Sequence, residues 1–167
     1  MNKIAILYGS SAGNTESVAG RIKQMLNDEA DIYNVVDVSI EEIQSYQYLI
    51  LCTSTTGIGD LQEDWEDFLP TFSSEMDFTD KTIAIVGLGD SASFSDSFAE
   101  SIYLLHEELK DKVKIVGETP DEGYTYDDSQ AVVDGKWLGL ALDEDNEYDE
   151  TEERLTKWVE QLKKEFV

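Results

Sequence analysis

Residues Gly9 to Ser17 read GSSAGNTES and follow the apolar run Ile4 to Leu7. Their types and spacing allow two chemistries. Gly9 to Gly13 fits G-x-S-x-G, the strand-to-helix turn that exposes a nucleophilic serine in hydrolases, here Ser11. The same glycines and hydroxyls would also wrap a phosphate monoester. Gly13 permits a tight turn, Asn14 and Thr15 open a helix whose first amides carry the positive end of its dipole, and Ser10, Ser11 and Thr15 add hydroxyls, so no lysine or arginine is needed. Plain helix capping by Asn14 or a neighbour is the simpler use of these residues. The segment is not a Walker A loop, because the lysine is missing and the spacing is wrong.

Two later segments have the same character: TSTTGIGDLQEDWE from Thr53 and GLGDSASFSDSF from Gly87. Each combines glycine with small hydroxyl residues, which lets a ligand approach the backbone closely and meet many donors without a fixed cation. A hydrolase would also need a base. The chain has one histidine, His106, midway along a helical pattern from Ser95 to Lys110 and beside Ile102, Leu105 and Leu109, which places it several turns from Ser11. The nucleophile elbow also normally follows a later strand. Ser11 therefore reads better as a phosphate ligand.

The elements that must position these loops alternate. Strands are predicted at Lys3–Tyr8, Ile32–Val38, Tyr48–Thr53, Thr82–Gly87 and Val113–Val116, with a further apolar piece at Trp137–Leu142. Helices are predicted around Val18, Ile22, Met25 and Leu26; around Leu61, Trp65, Phe68 and Leu69; around Phe98, Ile102, Leu105 and Leu109; and around Leu155, Trp158, Val159 and Leu162. Consecutive apolar residues such as IAIL and IAIV suit a parallel sheet buried on both faces, hence an α/β three-layer sandwich. In such a sheet ligands bind outside the carboxyl ends of the strands, where all three loops fall. The last two apolar pieces look like halves of one strand interrupted by a polar, tyrosine-containing insertion, with a hairpin turn at Asp134–Gly135. The expectation is one domain spanning residues 1–167.

Of 167 residues, 37 are acidic and 12 basic, a formal charge of -25. That balance repels nucleic acid and anionic membranes and favours salt-sensitive encounters with basic protein surfaces, although acid can serve solubility alone. No apolar run approaches bilayer length, and the start MNKIAILYG lacks the features of a signal peptide, so a cytoplasmic, monomeric protein is expected. The single cysteine, Cys52, cannot form an internal disulfide and sits in an apolar run that favours an inert thiol. Asp143, Asp145, Glu147 and Asp149 lack the glycine and glutamate spacing of a calcium loop, and no metal is assigned.

The chain resembles the long-chain flavodoxins, FMN-carrying electron-transfer proteins, over its whole length. The resemblance rests on GSSAGNTES, GIGDLQEDW, GLGDSASFSDSF and the stretch VVDGKWLGLALDEDNEYDETEERLTKW, in that order and spacing, and the third loop and tail look most like cyanobacterial and algal members. It implies a five-stranded parallel sheet of order 2-1-3-4-5, its last strand interrupted by the insertion, holding one non-covalent FMN. It implies that Ser10, Ser11, Ala12, Gly13, Asn14 and Thr15 bind the phosphate. It further implies that Ser54, Thr55, Thr56, Gly57, Ile58 and Gly59 cover one flavin face, and that Gly87, Leu88, Gly89, Asp90, Phe94 and Asp96 grip the pyrimidine edge and the other face. Asp90 is the implied acceptor for the flavin N3 hydrogen, and Asp145 a candidate for the ribityl hydroxyls.

Three positions depart from the family pattern. Ala12 replaces a threonine, removing one phosphate hydroxyl; Thr56 replaces the tryptophan that stacks on the inner flavin face; and Phe94 replaces the outer tyrosine, keeping a ring face that can stack. Affinity and potentials are therefore expected to differ from the family norm. The implied mechanism is one-electron transfer without substrate turnover. The Gly57–Ile58 peptide would flip to place a carbonyl opposite the N5 proton and stabilise a neutral semiquinone. An anionic hydroquinone would be disfavoured in a site without cations, giving a low-potential cycle between semiquinone and hydroquinone. The implied partners are ferredoxin-NADP reductase, photosystem I or other reductases with basic surfaces. The competing readings are a serine hydrolase and an FMN-free acidic module of receiver type, although a receiver would want acidic residues where this chain has Gly9 and Ser54.

Overall fold

The computed structural model describes residues 3–27 and 29–166. Its strands are β1 (Ile4–Tyr8), β2 (Ala30–Asn34), β3 (Tyr48–Thr56), β4 (Asp60–Leu61), β5 (Thr82–Leu88), β6 (Lys114–Val116), β7 (Thr119–Pro120), β8 (Val132–Val133), β9 (Lys136–Trp137) and β10 (Leu140–Leu142). Its α-helices are α1 (Asn14–Met25), α2 (Ile40–Ile43), α3 (Glu63–Glu75), α4 (Ser101–Leu109) and α5 (Tyr148–Glu165).

The main sheet runs β2-β1-β3-β5, all parallel, and its far edge is shared by two short strands. β6 pairs with Thr82–Ala84 of β5 and β10 with Val86–Leu88, so the two lie end to end along one neighbour. Strand side chains alternate between two cores. Ala5, Leu7, Leu49, Leu51, Ile83 and Ile85 enter the core shared with α3 and α4, whereas Ile6, Ile50, Cys52, Ala84 and Val86 enter the one shared with α1 and α5. Both faces of β3 and β5 are thus buried, which is why these strands are apolar on successive residues.

Several boundaries differ from the sequence expectations for local reasons. β2 begins at Ala30 and ends at Asn34, because the Asn34 side chain accepts from the Val36 amide at 3.0 Å and its carbonyl from the Asp37 amide at 3.0 Å, turning the chain out of the sheet. Leu61 belongs to β4, not to a helix. The helix expected from Ser95 is instead a short 3₁₀ turn at Ser95–Ser97, followed by Ala99 in the left-handed region (φ 52°) before α4 begins at Ser101. The short helix α2, too brief to show a helical hydrophobic period, is fixed by a capping box in which the Ser39 hydroxyl accepts from the Glu42 amide and Glu42 accepts from the Ser39 amide.

The expected strand Trp137–Leu142 is split. At Gly139 a Cβ would lie 2.2 Å from the Ile85 carbonyl oxygen, so only glycine lets the chain press against β5 there. Upstream, β7, β9 and β8 form a small antiparallel sheet whose hairpin turns at Asp134 (φ 53°) and Gly135 (φ 78°), the double positive φ of a type I′ turn. Trp137 anchors this insertion against Phe98, Tyr124 and Tyr126, with ring centroids 5.3 to 5.6 Å away.

Candidate functional site

Because β1, β3 and β5 run parallel, the segments leaving their carboxyl ends meet at one edge of the sheet. They enclose a cavity of about 270 Å³. Ser10, Ser11, Ala12, Asn14 and Thr15 line it from the first loop; Ser54, Thr55, Thr56 and Gly57 from the second; and Leu88, Gly89, Asp90 and Phe94 from the third. Asp145 closes it together with Glu144, its neighbour in the acidic segment before α5. No lysine or arginine is among the lining residues.

The remaining candidates sit just outside. Gly13 shapes the first loop: it is the N-cap of α1 with φ 95°, and no side chain caps that helix end. Its own amide donates to Ser10 Oγ at 3.0 Å, folding the loop back on itself, and the first residues of α1, Asn14 and Thr15, line the cavity. Gly59 and Ile58 belong to a three-residue hairpin loop between paired Thr56 and Asp60, with Gly57 at φ 50°, Gly59 at φ 80° and Ile58 82% exposed at the tip. Gly87 faces α4, where a Cβ would fall 2.4 Å from Ile102 Cγ1. Asp96 is exposed on the 3₁₀ turn and does not reach the cavity.

The loops are braced by residues that spacing alone did not single out. Gln62, the N-cap of α3 and almost wholly buried, accepts from the Trp65 amide at 3.2 Å and donates to Ser11 Oγ at 3.0 Å. Trp65 donates its indole N–H to the Cys52 carbonyl at 2.8 Å, tying α3 to β3 directly under the second loop. Thr55 Oγ1 donates to Ser101 Oγ at 2.8 Å and accepts from the Ser101 amide at 3.1 Å, so the second loop also defines where α4 starts.

On the other side, Asp143 is fully buried and accepts from the Ser91 amide and hydroxyl and from the Asn146 amide at 3.1 Å. Asn146 also donates to Asp90 Oδ1 at 2.8 Å, linking the third loop to the segment before α5. That bond, assisted by the Ser93 amide at 3.1 Å, holds the Asp90 carboxyl below the usual carboxylate range. Asp145 moves the other way: desolvation and then the charges of Asp90 and Asp143 raise it.

His106 lies on α4, outside the cavity, and burial lowers its basicity. Ser11 Oγ is engaged by an amide rather than by an imidazole, so the hydrolase arrangement does not form.

The Flavodoxin family matches residues 6–158. The chain belongs to the flavodoxin family. A flavodoxin of Helicobacter pylori is 46% identical over 166 residues, covering 99% of each chain. A flavodoxin of a Nostoc species is 40% identical, covering 98% of this chain and 97% of its own. In structure, a Fusobacterium nucleatum flavodoxin bound to flavin mononucleotide superimposes with a TM-score of 0.91 at 34% identity, covering 99% of both chains. Flavodoxins are electron-transfer proteins that serve redox partners and turn over no substrate of their own. Neither a serine hydrolase nor a receiver module fits this flavodoxin chain.

Proposed function

We propose that this chain, as one domain, holds a non-covalent FMN in the three-loop cavity and works as a low-potential one-electron carrier. The observation that carries this is the donor set at the carboxyl edge of the sheet. Hydroxyls of Ser10, Ser11 and Thr15 stand beside a helix N-terminus that no side chain caps, with no cation in the lining. A phosphate monoester satisfies such a site, and the rest of the cavity offers hydroxyls, backbone groups and one aromatic face, Phe94, that suit a flavin. FMN, when bound, supplies chemistry in two one-electron steps.

The residues then take definite roles. Ser10, Ser11, Ala12, Gly13, Asn14 and Thr15 bind the phosphate. Ser54 to Gly59 lie against one face of the ring, and Leu88, Gly89, Asp90 and Phe94 make the pyrimidine side and the other face, while Gly87 packs on α4 and Asp96 stays outside the cavity. Asp90 accepts at the ring edge, and Asp145 takes the ribityl hydroxyls. Gly57, at φ 50° in the exposed hairpin loop, has a backbone that tolerates either sign of φ, so the Gly57–Ile58 peptide would be able to turn its carbonyl towards a bound flavin. Thr56 supplies no stacking ring, so Phe94 is the aromatic contact.

The carboxylates of Asp90, Glu144 and Asp145 around the cavity disfavour an added negative charge. Like charges repel more strongly in a partly desolvated site than in bulk water, so these carboxylates would oppose a second added electron on a bound flavin. Acidic charge also favours partners with basic docking faces, for which a reductase of the ferredoxin-NADP reductase type and photosystem I are the proposed examples. Among the described residues no helix is long and apolar enough to cross a membrane. A cytoplasmic monomer is the proposed setting.

The test is titration of purified protein with FMN, followed by stepwise reduction. Stoichiometric quenching of FMN fluorescence and two resolved one-electron steps, the second at low potential, are expected. No uptake at micromolar FMN, or a single two-electron step, would overturn the reading.

A further inference from the structure

Beside the cofactor cavity, on the outer face of α3, lies a second and larger groove of about 730 Å³ between that helix and the segment joining β2 to α2. Its apolar wall is made by Val36, Val38, Ile40 and Phe68, and Val36 is 63% exposed, uncommon for a branched aliphatic side chain. Its acidic rim is Glu41, Asp64, Asp67 and Glu75, of which the last three fall with Phe68 and Thr71 on one face of α3. None of the lining residues is lysine or arginine, and the sequence from Asp37 to Asp80 contains neither.

We propose that this groove is a docking site for a basic amphipathic segment of a protein partner, one that lays an aliphatic side chain against Val36 and its lysines or arginines along the rim. The charge argument selects that occupant. An apolar strip bordered by four uncompensated carboxylates repels a second copy of a chain of charge -25 and any acidic ligand, and rewards a helix or turn carrying cations on either side of an apolar anchor.

The groove is also wired to the cofactor site. Asp64 on its rim accepts from Gln62 Nε2 at 3.1 Å, and the same nitrogen donates to Ser11 Oγ at 3.0 Å in the first loop. A partner cation that draws Asp64 outward acts on the group that holds Ser11. Docking and cofactor binding are then coupled, with the same factor in both directions. The identity of the segment as part of an electron-transfer partner rests on the carrier reading above; the groove itself does not.

The test uses FMN-reconstituted, isotopically labelled protein and a model peptide of about 14 residues, roughly four helical turns, with leucine and lysine at helical spacing. An all-lysine peptide of equal charge is the electrostatic control. The leucine–lysine peptide should shift the amide resonances of residues 35–41 and 64–75 and bind about tenfold more tightly than the control. Val36→Asp should erase that advantage, and Glu41→Lys should weaken both peptides.

Shifts confined to residues 56–60 and 88–94, or an affinity untouched by Val36→Asp in protein that melts normally, would overturn the proposal. A dimer in sedimentation that Val36→Asp dissolves would assign the groove to a second copy and overturn it equally. Failure of FMN to bind appears separately, as missing visible absorption, and leaves the peptide mapping readable on the same sample.

Discussion

Gln62 Nε2 stands 3.0 Å from Ser11 Oγ, bridging the N-terminus of α3 to the loop after β1 across 51 positions of sequence. The same side chain caps α3 through the Trp65 amide, and its Oε1 would lie 2.4 Å from a Cβ placed on Gly9. Gly9 and Gln62 are therefore fitted to one another: the missing side chain of one makes room for the amide of the other.

Gln62→Ala should cost about 1–2 kcal/mol of stability, the sum of a lost helix cap and a hydroxyl left with one partner fewer. Urea unfolding of the apoprotein measures this directly. FMN affinity should fall by up to about tenfold, because Ser11 loses its brace. A variant as stable and as tightly binding as the parent would remove Gln62 from the account.

Gly13→Ala tests the turn of the first loop by itself. The position has φ 95° and nothing within 4 Å of a Cβ, so the substitution introduces backbone strain without a clash. A loss of about 1 kcal/mol or more is expected, together with weaker phosphate binding, read by comparing FMN with riboflavin. Riboflavin affinity should change little.

Asn146→Ala should raise the pKa of Asp90, since the Asn146 hydrogen bond is the leading cause of its depression. A carboxyl depressed in the folded state contributes stability at pH values above its unfolded pKa, and that contribution is lost as pH falls through the folded value. In the variant that contribution should be smaller, and its loss complete at a higher pH than in the parent. Carboxyl chemical shifts titrated from neutral to acid pH check the assignment.

Asp145→Asn should have the opposite sign. The folded protein raises this carboxyl by desolvation and by the charges of Asp90 and Asp143, so the ionised form is a liability at neutral pH. The apoprotein variant should be more stable than the parent at pH 7, with the difference vanishing as pH falls into the range where Asp145 takes up its proton. Denaturant midpoints at a series of pH values show this. Equal midpoints throughout would contradict the electrostatic assignment.

Cys52 is wholly buried, and burial pushes its thiol far above the ordinary range. Thiol reagents at neutral pH should label it only at the rate of unfolding. Rapid labelling of folded protein would place the side chain elsewhere.

Much of the site was legible before folding because its logic is local. Strands apolar on successive residues require a sheet covered on both faces, such a sheet is parallel, and a parallel sheet carries all its carboxyl ends to one edge. Loops rich in glycine and hydroxyls after β1, β3 and β5 therefore had to converge. The same reasoning placed Ser10, Thr15, Ser54 and Asp90 around one cavity and left His106 out of it. The turn at Asp134–Gly135 was equally local, since few residue pairs tolerate two successive positive φ values.

Other features depended on contacts between distant segments. α4 could not be started correctly from its own pattern, because Thr55 Oγ1 receives the Ser101 amide and the Asp128 carbonyl accepts from Phe98 N–H, breaking the apparent helix into a 3₁₀ turn and a later α-helix. Gln62, Asp143 and Asn146 lie in stretches that carry the resemblance, but nothing in their spacing assigns them a bracing role. A glutamine cap and a buried aspartate become meaningful only when Ser11, Ser91 and Asp90 are brought beside them.

Composition and spacing by themselves determined the layered α/β architecture, the edge at which a ligand must sit and the anionic character of the surface, because these follow from hydrophobic period and charge count. Tertiary structure alone decided which side chains brace the loops, where α4 begins and that an acidic groove runs beside the cavity, because hydrogen bonds across 46 to 56 positions and a cleft between separate elements exist only once the chain has folded.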